Sequence, residues 1–394
     1  MEFHQGPADR FVVRNARAVD AHGTVEDAWI SVSAGRIQAV GRGTPPVDAL
    51  NDKVRVIDAQ GGYVTPGFID VHFHGGGGHV NENGPSSILA ALTAHHRHGT
   101  TRAVVSFVTN PMPVLVKNVR AVAELTKTCP LILGSHLEGP FLSVERRGAH
   151  SAEHLVTPIP SNIELLLTEA RGSLRQITID PGLPDAIPAI TAFVEADVRV
   201  AVGHTTADYD TGSRAFAAGA SVLTHTFNAM AGIHHREPGP IVAAIDHNAY
   251  LELILDGIHV HPRVAAMLFK LAGGRLVLVS DAMAAAGAED GPYELGDQAV
   301  DVRDGTAVLK GTSTLAGSTL TLDRALRLGI MNDIPAETVV EALTLAPARF
   351  LGLSDHLGML EPGYEADLVL FDHDWNVLQT FARGLCVYSG GQNT

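Results

Sequence analysis

From residue 64 to residue 329 the chain alternates short apolar runs with stretches of helical periodicity. The apolar runs are Val64–His74, Ala103–Val108, Leu131–Leu137, Gln176–Ile179, Val198–Val202, Ser221–His225, Tyr250–Leu255 and Leu276–Ser280. Helical patterns cover 86–98, 113–127, 161–171, 186–196, 208–218, 238–247, 261–272 and 319–329. A strand that is apolar along its whole length must be covered on both faces. Parallel sheets with crossover helices provide that cover. Eight such units predict a closed (β/α)8 barrel. An open doubly wound sheet is the structural alternative. Its dinucleotide-binding version lacks support, because no GxGxxG follows the first strand. A length of 394 residues accommodates a barrel and one small extra domain.

That extra domain is read from both ends of the chain. Phe11–Val13, Ala28–Val32, Arg36–Val40 and Arg55–Asp58 are β-prone runs divided by Gly23, Gly35 and Gly41-Arg42-Gly43. Ala366–Asp372, Trp375–Val377 and Leu385–Tyr388 repeat the style near the C-terminus. Two all-β ends around a different middle predict a small β-sandwich built from residues 1–64 and 355–394. Residues 65–354 are left for the barrel.

A net charge of -15 argues against nucleic acid or an anionic membrane as partner. No apolar run reaches membrane-spanning length. The two cysteines, Cys129 and Cys386, make no disulfide framework, and the first residues show neither a basic nor an apolar signal-peptide region. The expected compartment is therefore reducing and cytoplasmic.

Chemistry-bearing residues fall just after the strands, on the rim that carries active sites in such barrels. His72 and His74 sit at positions i and i+2 of a strand and point the same way. Two neutral imidazoles so placed begin a divalent metal site. Taken alone, the pair also reads as two polar residues at a strand end. Further candidates follow later strands: Glu138, His204, His225, His259 and Asp281. Together they predict a divalent-metal hydrolase. His95, His96 and His98 fall in the last turn of a predicted helix, where positive charge suits the macrodipole. Cys129, before Pro130, reads as a structural thiol.

Six short motifs occur in order: His136-Leu137-Glu138-Gly139-Pro140-Phe141, Gly148-Ala149-His150, His225-Thr226-Phe227-Asn228-Ala229-Met230, Asp256-Gly257-Ile258-His259, Ser280-Asp281-Ala282-Met283 and Leu315-Ala316-Gly317-Ser318. With the tail Gly358–Asp367, the chain resembles the amidohydrolase superfamily and, within it, the N-acetylglucosamine-6-phosphate deacetylase family. The resemblance implies that Glu138, His204 and His225 hold the tighter metal. It allows a second metal on His72 and His74, bridged by Glu138. Zinc suits such N/O donors, with iron(II) or another divalent ion as alternatives.

Asp281 is then the general base and acid, and His150 helps polarise the acetyl carbonyl. Ala149, Asn228, Ala229, Arg236, Asp256, Gly257, His259, Leu315, Ala316 and Gly317 match substrate-binding positions. Arg236 and His259 are the phosphate candidates, since the overall field repels an anion. The implied products are acetate and glucosamine 6-phosphate, in amino-sugar catabolism and cell-wall recycling. A homodimer is implied, with a partner subunit contributing to the phosphate. Rival readings are a related enzyme for N-acetylgalactosamine 6-phosphate or another N-acyl substrate, and an inactive scaffold.

Overall fold

The computed structural model describes residues 10–46 and 54–390. Among them, eight strands form one parallel sheet: Phe68–Phe73, Thr100–Val108, Ile132–Glu138, Leu174–Ile179, Arg199–Val202, Val222–Leu223, Tyr250–Ile254 and Leu276–Val279. Neighbours in the sheet follow chain order. The two edges meet beyond the last strand. Phe73 and Ala282 form a parallel bridge, and the Asp281 N–H donates to His72 O at 2.8 Å. The sheet is thus a (β/α)8 barrel. All nine residues of Thr100–Val108 are buried, as a strand covered on both faces requires.

The expected helices follow the strands, from Pro85–His96 to Leu322–Met331. Proline opens several of them, where its missing N–H costs nothing. Asp208 caps another by accepting the Thr211 N–H at 2.8 Å.

The chain divides into two compact units. One, Val71–Leu92 with Ala103–Leu320, carries the strand ends and the loops after them. The other comprises the chain up to Asp70, Thr93–Arg102 and the chain from Thr321. In that second unit the terminal strands form one mixed sheet of eight. Tyr63–Pro66 lies at its centre, parallel to Phe11–Asp20 and antiparallel to Leu368–Phe371. Phe11, Ile30, Ile37, Leu368 and Phe381 fill its core. Two helices that periodicity did not signal, Ala336–Leu343 and Leu345–Leu351, also belong to this unit.

Three local features differ from the sequence reading. The run Val64–His74 is two strands, divided at Gly67. A Cβ on Gly67 would lie 2.3 Å from the Thr101 hydroxyl, so only glycine lets the chains pass this closely. The glycines after His74 build a short hairpin that the sequence reading does not include. Gly75–Gly76 pairs with His79–Val80, and the Gly77 and Gly78 N–H groups donate to Ala286 O and Ala284 O. Finally, a three-stranded antiparallel sheet, Gly291–Leu295, Gln298–Arg303 and Thr306–Leu309, follows the eighth barrel strand. Met283, Leu295, Val300 and Ala316 share its core.

Candidate metal centre

Six side chains converge after the barrel strands. His72 and His74 close the first strand, and their Nε2 atoms are 3.0 Å apart. Glu138 ends the third strand and reaches both halves of the cluster. Its Oε2 is 3.2 Å from His74 Nε2, and its Oε1 is 3.1 Å from His204 Nε2 and 2.9 Å from His225 Nε2. His204 and His225 face each other at 3.0 Å. Asp281 Oδ1 lies 3.4 Å from His72 Nε2 and 3.3 Å from His74 Nε2. All six are buried. His204, His225 and Asp281 have φ of 47°, 25° and 47°, a region non-glycine residues occupy at a cost. Such strain collects where function fixes a side chain.

The outer nitrogens of three rings are accounted for or directed away. His204 Nδ1 donates to the Arg146 carbonyl at 2.8 Å, and His72 Nδ1 faces Glu252 Oε2 at 3.1 Å. Each ring therefore presents a bare Nε2 to the cluster. His225 Nδ1 has no hydrogen-bond partner among the described residues, which leaves its Nε2 as the inward donor.

The field inside favours positive charge. Burial alone would lower His72, but Glu138 and Asp281 outweigh it and hold its pKa well above the usual value. Burial likewise opposes His74, yet hydrogen bonds to Asp281 and Glu138 raise it to about 9. Burial would raise Glu138, but His72 and the imidazole hydrogen bonds hold it well below the carboxylate range. Asp281 is also lowered, against its burial, by His72 and His74. The other half carries one carboxylate fewer. There burial, only partly offset by Glu138, pushes His204 down to about 4, whereas His225 is raised against its burial by Glu138 and Asp281.

Two overlapping donor groups result: His72, His74, Glu138 and Asp281, and Glu138, His204 and His225. In each, one donor atom per residue lies within 4.8 Å of every other. Tetrahedral zinc with bonds of about 2.0–2.1 Å sets its donors about 3.3 Å apart, close to these spacings. Buried, mutually facing imidazoles and carboxylates fit a divalent cation and little else.

The cluster opens into a pocket of about 330 Å3. Ala149, His150, Asn228, Ala229, His259, Leu315 and Gly317 line it. A Cβ on Gly317, at φ 61°, would sit 3.1 Å from Asp281 O, so the wall beside Asp281 requires glycine. His150 Nδ1 accepts the Thr109 N–H at 3.1 Å, which places the ring hydrogen on Nε2. Asp256 Oδ2 holds His259 Nδ1 at 2.6 Å, and Asp256 Oδ1 accepts the Ile258 and His259 N–H groups.

Four matched residues are not on the pocket wall. Asp256 stands behind His259, Ala316 is fully buried in the core under the inserted sheet, and Gly257 is exposed. Arg236 is exposed and donates to His235 Nε2 at 2.7 Å. Glu145, Arg146, Leu295 and Thr314 line the pocket without having been anticipated. Below the cluster, Glu252 and Gln176 form a buried polar layer with a 2.6 Å hydrogen bond. Its only sequence signal is a charge inside the apolar run Tyr250–Leu255. His136 lies in the same interior and joins Ser106 and Thr178 rather than the metal cluster. His96 and His98 bond Thr100 O and Asp323.

Among the described residues no helix is long and apolar enough to cross a membrane. The Amidohydrolase family model matches residues 63–388. An N-acetylglucosamine-6-phosphate deacetylase of Bacillus subtilis (strain 168) is 33% identical, over 96% of this chain and 97% of its own length. An N-acetylgalactosamine-6-phosphate deacetylase of Escherichia coli O157:H7 is 34% identical, over 95% of this chain and 98% of its own. The crystal structure of N-acetyl-D-glucosamine-6-phosphate deacetylase from Mycobacterium smegmatis has a TM-score of 0.90 at 37% identity, covering 96% of this chain and 100% of that one. With the cluster and the barrel already in place, these likenesses leave one assignment: the chain belongs to the amidohydrolase family.

Proposed function

We propose that this protein hydrolyses the acetamide of N-acetyl-D-glucosamine 6-phosphate, giving D-glucosamine 6-phosphate and acetate. The observation that carries the reading is the convergence of His74, Glu138, His204, His225 and Asp281 on one pocket, with His72 buried directly behind them. Relatives that span nearly the same length are named for this reaction.

His72, His74, Glu138, His204 and His225 would hold one or two divalent ions, zinc being the choice for such N/O donors. A bound ion supplies acidification of water and polarisation of a carbonyl oxygen. The remaining work belongs to the chain. Water adding to the acetyl carbon must lose a proton, and the departing amine must gain one. Asp281, within 3.4 Å of His72 Nε2 and 3.3 Å of His74 Nε2, takes the first and delivers the second. The acetyl oxygen gathers negative charge as water adds. His150 aims an Nε2–H into the same pocket and donates to that oxygen. Burial of these groups keeps bulk water from weakening either interaction.

The phosphate needs local cations in a chain of net charge -15. His259 and Arg146 line the pocket, and the fork of an arginine matches phosphate oxygens. Arg236, exposed beside His235, is assigned to the phosphate of a neighbouring subunit in a homodimer. A reducing, cytoplasmic setting suits a chain with only two cysteines, Cys129 buried and Cys386 exposed.

The test is acetate release from N-acetylglucosamine 6-phosphate, from its C4 epimer and from unphosphorylated N-acetylglucosamine. The first should give the highest kcat/KM. Equal rates on the unphosphorylated sugar would remove the phosphate from the account.

A further inference from the structure

We infer that Glu252 is a positioning residue that locks His72 for cation binding and ties the two halves of the metal cluster together. The inference rests on the proposed function above in its two-cation form, one ion for each of the two donor groups.

Glu252 lies on the seventh barrel strand and is fully buried, yet it contacts no substrate-facing space. A buried carboxylate in a run of Leu and Ile is costly unless hydrogen bonds meet it. Three groups do. Gln176 Nε2 donates to Oε1 at 2.6 Å. The His225 backbone N–H donates to Oε2 at 3.2 Å. His72 Nδ1 lies 3.1 Å from the same Oε2. An oxygen facing Nδ1 places the ring hydrogen there and leaves Nε2 bare for a metal. One carboxylate oxygen therefore holds a ligand from each half: the His72 ring, and the backbone of His225 at its strained φ of 25°. Outer partners of this kind are worth about 10–100-fold in metal affinity.

What matters in this arrangement is the reach of an acceptor oxygen. Glu252→Asp keeps the charge but withdraws the oxygens by one methylene. Glu252→Gln keeps the reach, because its oxygen can take the Oε2 place. Its amide can then donate to the Gln176 side-chain oxygen, which has no hydrogen-bond partner among the described residues.

The experiment uses the full chain stripped of metal and titrated with cobalt(II). Binding is followed by d–d absorption, and zinc affinity by competition with a chelator. Wild type is expected to take two equivalents. Glu252→Asp should weaken one of them by about 10–100-fold, and Glu252→Gln should stay nearer wild type. The thermal midpoints of the metal-free proteins should differ little, which a merely structural role would not allow. Two normal equivalents in Glu252→Asp would overturn the inference. So would a larger loss in Glu252→Gln, since charge rather than reach would then be the cause. A single equivalent in wild type would instead overturn the two-cation reading beneath it.

Discussion

Replacing His150 by alanine removes one directed donor from the pocket while leaving the cation-binding donors in place. The Thr109 N–H occupies Nδ1 at 3.1 Å, so the neutral ring carries its hydrogen on Nε2. The Thr109 hydroxyl, 3.0 Å from the same nitrogen, is committed to Glu138 O at 3.2 Å. His150 Nε2 also lies 3.4 Å from Glu138 Oε2 and helps keep that carboxylate ionised, so metal content must be read beside the rate. The loss falls on the acetyl oxygen as it becomes negative. Deleting one such donor costs about 10²–10³-fold in kcat, or about 3–4 kcal/mol. The upper end applies because His150 is only 6% exposed and water cannot easily replace it. KM should change little, since the donor acts on charge that develops after binding. His150→Gln, which retains an amide donor, should recover part of the rate. Acetate release with elemental analysis of each variant reads all of this. A His150→Ala variant with wild-type kcat and full metal content would refute the assigned role. Loss of metal in that variant would show that the ring supports the cluster instead.

Asp281→Asn should keep its metal, held by Glu138 and the imidazoles, while kcat falls by about 10²–10⁴-fold; near-normal turnover would remove Asp281 as the proton carrier. His259→Ala should cost about 10–100-fold in kcat/KM on the phosphorylated sugar, the worth of a charge-assisted hydrogen bond, and little on N-acetylglucosamine; equal losses on both would mean that His259 does not read the phosphate. Away from the site, burial lowers His96 from 6.5 to about 4 while its Nδ1 donates to Thr100 O at 2.7 Å. Its neutral form therefore stabilises the fold fully above pH 6.5, and roughly 3 kcal/mol is lost as pH falls towards 4. Thermal midpoints between pH 7.5 and 4.5 should drop less steeply in His96→Asn, which keeps the donor; parallel curves would contradict this.

Much of this molecule can be read from its sequence because two periods carry it. Strands buried on both faces advertise themselves as unbroken apolar runs, and the rim follows once those runs are placed. His72 and His74 are visible because a strand repeats every two residues. Glu252 and Gln176 were not assigned a role, because they act inside the barrel through one another and belong to no spaced motif. The pocket wall at Leu295 and Thr314 was missed because short antiparallel strands have weak patterns. The Asp304-Gly305 hairpin turn, with both φ positive, was the available signal. Gly67 shows a different limit: one apolar run can serve two sheets when a single glycine divides it. Arg236 is a position matched by the family resemblance but lies outside the pocket of its own chain, a placement that spacing along the sequence does not encode.

The central claim, that a divalent cation held by His72, His74, Glu138, His204 and His225 is required for deacetylation, has one direct measurement. Protein freed of metal by a chelator should release no acetate from N-acetylglucosamine 6-phosphate. Turnover should return in proportion to zinc added and level off at one or two equivalents per chain. Undiminished acetate release from a preparation shown by elemental analysis to be metal-free would contradict the account.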